Sequence, residues 1–239
     1  MKILALDTAT ELCSAALYID GSIRVREDAR PRGSGELILG MIAELLAESA
    51  VALAQLDAIA FGRGPGGFTG VRLAVAVAQG LGFAADLPLL PVSELRALAR
   101  QALMQSGVPP RVLVCQDARM AQVYWSCYEA VGATPGVLRE RQPEALDFPA
   151  DVRLPPDWHG APVCGAGSGF EAYEGILARP AGLAGLPGAA LAPLFGHLRP
   201  RAREIAELAA IDGIAAAVAP ESAQPVYLRE DVAAPSPRN

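Results

Sequence analysis

The chain repeats a pattern of its own. Residues 2–18, KILALDTATELCSAALY, align with residues 112–128, VLVCQDARMAQVYWSCY, at an offset of 110 positions. Each copy is an apolar run ending in an aspartate (Asp7, Asp117), a few turn residues, and an alternating apolar stretch reaching a tyrosine (Tyr18, Tyr128). That pattern predicts a buried strand turning into an antiparallel neighbour. A long-period repeat implies two units of similar build. At 239 residues the chain has room for two, each of about 100 residues.

The segments downstream of each copy extend the parallel. After the first, Asp20-Gly21 is a hairpin signal and SIRVRE a third strand. In GELILGMIAELLAESA the residues Leu37, Ile38, Met41, Ile42, Leu45 and Leu46 share one helical face. LDAIAF reads as a strand, residues 70–85 as a long apolar helix and LPLLPV as a strand. A helix with Ser93 as N-cap comes next. The second half predicts strands near 112–116, 121–130 and 136–141, then a strand and glycine turn in PVCGAGSGF. A helix over 201–219 comes after, and PVYLRE closes the fold. The expected fold is α/β on the actin-like, sugar-kinase-like plan, with lobes at 1–108 and 109–239 and a nucleotide cleft between them.

In that plan the strand-end aspartates face the cleft and the phosphates lie on the first hairpin turns. Such turns need glycine, because a side chain would hold the anion off the backbone N–H groups. Here DTAT has Ala9 and DARM has Arg119, so both turns are degenerate. The residual nucleotide candidates are Asp7, Thr8, Thr10 and Asp117; the competing reading is that the aspartates only cap their turns. The stretch GRGPGGFTGVR at 62–72 is no Walker loop, since Lys2 is the only lysine. It reads as a strand-to-helix elbow, with Pro65-Gly66 in a type II turn and Thr69 capping a helix from Gly70.

Other chemistries find little support. Ser168 lacks the glycine of a nucleophile elbow, having Ala166 two positions before it. His159 and His197 stand apart, without zinc-ligand spacing, and Cys13, Cys115, Cys127 and Cys164 read as buried thiols. A net charge of −6 argues against an autonomous nucleic-acid binder. The apolar stretch 73–92 is broken by Gln79, Asp86 and Pro88, which argues against a membrane span, and MKILALDT is short for a signal peptide. A cytoplasmic protein is expected.

Together, ILALDTAT, LDAIAFGRGPGGFTGVRLAVAVAQGL, PLLPVSELRALA, DARMAQVYW and PVYLRE resemble the TsaB (YeaZ) family across nearly the whole chain. The resemblance implies a non-catalytic scaffold in the bacterial machinery that puts threonylcarbamoyl on the adenosine beside the tRNA anticodon. It implies pairing with a TsaD-like metalloenzyme, a TsaE-like ATPase and a TsaC-like synthase, and a homodimer when the partner is absent. Contact with tRNA would be indirect. No cofactor would be held tightly by the isolated chain, ATP or ADP binding only at the composite interface. The implied partner surface lies on helices near 36–49 and 70–85, with Leu37, Met41, Ile42, Leu45, Val71, Val75 and Gln79 as candidates, of which core packing must claim at least half. The sequence departs from the family in RGSGELILGM, where Gly33 and Gly40 stand for a usual histidine and proline. The alternative is an active ATPase or small-molecule kinase using Asp7 and Asp117.

Overall fold

A computed structural model describes residues 1–29, 34–132, 136–179 and 191–229. Gly33 of RGSGELILGM and Glu230 of PVYLRE lie outside the described residues.

Two five-stranded sheets organise the molecule. In the first, β1 (Lys2–Asp7), β2 (Cys13–Ile19), β3 (Ser22–Asp28), β4 (Ala58–Gly62) and β5 (Leu89–Val92) lie in the order β3-β2-β1-β4-β5. In the second, β6 (Arg111–Asp117), β7 (Val123–Ala130), β8 (Leu138–Asp147), β9 (Cys164–Ala166) and β10 (Leu194–Phe195) lie in the order β8-β7-β6-β9-β10. The orders match place for place. In both, the aspartate-ended strand pairs antiparallel with the next strand and parallel with a later one, Ile3 facing Ala58 and Val112 facing Cys164. This doubled arrangement is the actin-like α/β fold of two similar lobes.

The helices are α1 (Ser34–Glu48), α2 (Phe68–Ala85), α3 (Glu94–Leu103), α4 (Gly169–Leu177) and α5 (Ala202–Asp212). Alternation along the central strands decides what each covers. Leu4 and Leu6 of β1 join α1 and α2 in one cluster, while Ile3 and Ala5 face Ala202, Ile205 and Ala209 of α5. On β6, Leu113 and Cys115 face Phe170 and Leu177 of α4, and Val112 and Val114 face Leu95, Leu98 and Ala102 of α3. So α3, which follows the first sheet in sequence, packs on the second, and α5, which follows the second sheet, packs on the first. They touch between the sheets, tied by a bidentate Arg96–Asp212 pair (2.6 and 2.8 Å) and by Arg100–Glu207 at 2.6 Å. All strands up to β5 precede residue 108 and all from β6 follow it, but these two helices cross that division.

Some local expectations hold. Ser93 accepts from Arg96 N at 3.1 Å as the cap of α3, and Asp20 and Gly21 take the positive φ of a tight hairpin. All four cysteines are buried and none is in a disulfide. Other expectations are corrected. The helix predicted over 201–219 stops at Asp212, because Gly213 (φ 71°) terminates it and a 3-10 turn succeeds it. Helix α4 begins within the stretch that the sequence predicts to be a glycine turn. Helix α2 begins at Phe68 with Gly67 as N-cap and no side-chain cap, so Thr69 lies inside the first turn instead of capping it. By length and composition α2 is apolar enough to cross a membrane, but Val71, Ala74, Val75 and Ala78 are buried against the first sheet and β5 follows, so 73–92 is a buried helix running into a strand.

Candidate functional site

The glycine elbow closes on the first hairpin turn. Gly67 N donates to Ala9 O at 2.8 Å, and Thr8 Oγ1 donates to Gly70 O at 2.6 Å. A Cβ on Gly66 would stand 2.8 Å from the Ala9 Cβ, and one on Gly70 would collide with the Thr8 carbonyl. The glycines are therefore required by backbone meeting backbone, with no phosphate between. Ala9 N is already bonded to Asp7 Oδ1 (2.9 Å), and Leu12 N donates to Thr10 Oγ1 at 3.2 Å. These turn N–H groups are spent within the protein.

Asp7 is fully buried, and its Oδ2 has no partner. Its Oδ1 caps the turn, as the competing reading expects, and the carboxyl does not face the cleft. It faces inward instead, beside Glu94, whose two oxygens are also buried and unpartnered. Both converge on Gly62, where an added Cβ would collide with Glu94 Oε1 and stand 2.9 Å from Asp7 Oδ1. Removal from water pushes the Asp7 pKa up to about 7, against small opposing contributions from the Ala9 and Thr8 N–H groups. Glu94 is pushed well above the carboxylate range by burial and then by the charge of Asp7, with Arg63 opposing. Arg63 is itself committed to Glu144 at 3.1 Å. Glu94 had no signature in the sequence beyond an acidic first helical residue.

Asp117 sits differently, in the wall of a cavity of about 940 Å³ between the lobes that Thr8, Thr10 and Ser168 also line. Its Oδ1 accepts from Arg119 N (2.9 Å) and the Tyr173 hydroxyl (3.3 Å), its Oδ2 from the Arg119 guanidinium (3.1 Å), and its own N–H donates to Ser168 Oγ (3.0 Å). Arg119, Met120 and Ala121 all take φ between 54° and 63°, a left-handed run that side chains resist. The two aspartates thus share a register but not a site. Among the described residues no three His, Cys, Asp or Glu side chains gather as a metal would need.

The segment after α5 returns over this cavity, which the sequence did not foretell. Val226 N donates to Arg63 O at 2.7 Å on the first lobe, and Arg229 donates to Ala118 O and Gln122 Oε1 on the second. Between them the Tyr227 hydroxyl accepts from Arg72 Nε at 2.6 Å.

The predicted partner surface is corrected as well. Met41, Ile42, Leu45, Val71 and Val75 are buried on the inner sides of α1 and α2, where they cover the sheet. Leu37 is half-buried against the same cluster, and Gln79 donates to the Pro220 and Ala223 carbonyls. The apolar face is inevitably the core face of such helices. What stands outside is Leu39 (50% exposed) and Phe83 (62% exposed), with Ala43, Ala76 and Gly80 also exposed.

Known proteins match this chain in both sequence and structure. Residues 30–163 match the family model described as TsaD, tRNA N6-adenosine threonylcarbamoyltransferase. The tRNA threonylcarbamoyladenosine biosynthesis protein TsaB of Escherichia coli is 38% identical over 233 residues, 98% of this chain and 96% of its own length. The chain belongs to the TsaB (YeaZ) family. The TsaB of Haemophilus influenzae is 48% identical over 126 residues, 53% of each chain. The structure of YeaZ from Pseudomonas aeruginosa superposes with a TM-score of 0.81 at 41% identity, covering 95% of this chain and 99% of that one. TsaB-family membership and the actin-like fold therefore agree over nearly the whole length.

Proposed function

We propose that this chain serves tRNA threonylcarbamoyladenosine biosynthesis as a non-catalytic scaffold subunit in the cytoplasm, pairing with a TsaD-like metalloenzyme and, through that pair, with a TsaE-like ATPase and a TsaC-like synthase. One observation carries it: both strand-end aspartates are withdrawn from cleft chemistry. Asp7 is sealed beside Glu94 under the glycine elbow, and both oxygens of Asp117 are bonded within its own lobe. A phosphoryl-transferring cleft needs carboxylates free to position a metal or a nucleophile.

The partner surface is the outward side of α1 and α2. Leu39 and Phe83 are large apolar groups left in water there, and Ala43, Ala76 and Gly80 let a facing helix approach closely. The same face would make the homodimer when no partner is present.

The test is co-expression with the TsaD-like protein of the same genome, read by size-exclusion chromatography and by nucleoside analysis of tRNA. Leu39→Glu and Phe83→Glu are expected to fold normally and lose both the complex and the modification. Asp117→Asn should keep both. A Phe83→Glu and Leu39→Glu double variant that still pairs would remove the proposed surface. Loss of modification in Asp117→Asn with assembly intact would remove the inert cleft.

A further inference from the structure

The two hairpin turns of the repeat are held by different means. The turn at 8–12 in the first lobe contains no residue of positive φ and lies against the glycine elbow through the Gly67–Ala9 and Thr8–Gly70 bonds. Its counterpart at 118–122 in the second lobe carries Arg119, Met120 and Ala121 in the left-handed region, although none of the three is glycine. Burial does not compensate them, since Met120 is 76% exposed and the Arg119 side chain 86%. The turn has bonds of its own: Ala118 N to Gln122 O (2.9 Å), Gln122 N to Arg119 O (3.1 Å) and Arg119 N to Asp117 Oδ1 (2.9 Å). From outside the turn, Arg229 reaches both legs and the tip, donating to Ala118 O (3.1 Å), Gln122 Oε1 (2.8 Å) and Met120 Sδ (3.0 Å). Arg229 is in turn aimed by the first lobe. Val226 N is bonded to Arg63 O at 2.7 Å, and a Cβ on Gly64 (φ 103°) would stand 2.6 Å from Val226 O. Tyr227 is pinned to the start of α2. Its hydroxyl accepts from Arg72 Nε at 2.6 Å, the Arg72 guanidinium lies 3.4 Å from the Phe68 ring centroid, and the two rings are 5.8 Å apart.

We infer that residues 226–229 are a strap by which the start of α2 holds the second-lobe hairpin in its left-handed form. A run of side-chain-bearing residues at positive φ is strained and persists only while its surroundings over-determine it. Arg229 is the group that does so, through three bonds that a charged donor makes stronger than neutral ones. Its withdrawal leaves Ala118 O and the Gln122 side chain without that donor, and the turn relaxes toward the negative φ that L-residues prefer. The strap thus has two states, engaged as here and released. Four residues carry the coupling: Arg72 and Tyr227 on the first lobe, Arg229 across the gap and Met120 at the tip of the hairpin. Whatever draws Tyr227 off α2 also frees a hairpin that Tyr227 does not hydrogen-bond. Because Val226, Tyr227, Arg229, Arg119 and Met120 all line the interlobe cavity, release reshapes its mouth. The device is separate from Leu39 and Phe83 and does not depend on the scaffold reading.

The experiment is hydrogen–deuterium exchange of the full chain, read by mass spectrometry. Arg229→Ala is expected to speed exchange of the hairpin amides at 118–122 about tenfold or more, with β1 and α5 unchanged. Tyr227→Phe is the deciding variant. It keeps the ring beside Phe68 and loses only the bond to Arg72. It is nonetheless expected to speed exchange in the distant hairpin, by about threefold or more. Ala121→Gly added to Arg229→Ala should restore part of the protection, because glycine takes positive φ without steric cost. Arg203→Ala, on α5, should leave the hairpin at the wild-type rate. If Arg229→Ala does not fold by circular dichroism, Arg229→Lys takes its place, since an ammonium keeps the charge without the fork that spans three acceptors. Hairpin exchange that either variant leaves unchanged overturns the inference, and so does a rise spread evenly over the chain.

Discussion

The buried pair of Asp7 and Glu94 makes a quantitative prediction about proton linkage. In the unfolded chain these carboxyls ionise at their ordinary values of 3.8 and 4.5; in the folded chain Asp7 titrates at about 7 and Glu94 well above its ordinary value. Between about pH 5.5 and pH 6.5 the folded state therefore holds two protons that the unfolded state has released. A group whose folded pKa is raised contributes stability below its unfolded pKa and loses it as pH rises. Each such proton lowers the unfolding free energy by about 1.4 kcal/mol per pH unit. Glu94→Gln removes one of the two protons and leaves Asp7, whose shift comes mainly from burial. The groups around the pair, Arg63 with its partner Glu144 and the Cys13 thiol, are untouched. Urea unfolding at several pH values across that window should give a ΔG line for Glu94→Gln that falls less steeply than wild type by about 1.4 kcal/mol per pH unit. Any change in packing or hydrogen bonding shifts the whole line but not its slope. Parallel lines for the two proteins would refute the pair as a proton store.

The elbow and the helix exchange are open to the same kind of test. Gly70→Ala should cost more than about 3 kcal/mol or prevent folding, since its Cβ would overlap the Thr8 carbonyl, whereas Gly80→Ala, with nothing within 4 Å, should stabilise by about 1 kcal/mol; thermal melts of both check the contrast. Arg96→Ala should lower stability by about 1–3 kcal/mol by leaving half-buried Asp212 unpaired between α3 and α5. Arg203→Ala, whose pair with Glu207 is 3.5 Å and half exposed, should cost under about 1 kcal/mol in the same assay.

Much of the fold was legible because it is written in local pattern. The aspartate-ended strands, the Asp20-Gly21 hairpin, the Ser93 cap and the amphipathic α1 each depend on neighbours a few residues away. The doubled order of strands followed from the repeat. Which side of a helix is which was harder: on α1 and α2 the apolar residues expected to meet a partner are the face that covers the sheet. Hydrophobicity says that a face is buried, and it does not say against what.

By itself, then, the sequence determined two homologous α/β lobes, the loss of glycine from both phosphate turns and membership in the family its motifs resemble. Only the tertiary structure decided what those features do. It brought Gly70 against Thr8, Glu94 against Asp7 and Tyr227 against Arg72, pairs 62, 87 and 155 positions apart. It also sent α3 and α5 each to the other lobe's sheet. The reason is physical: backbone preference and amphipathic period are set within a few residues. Burial, pKa and the shape of a cavity are set by whatever the completed fold brings into contact.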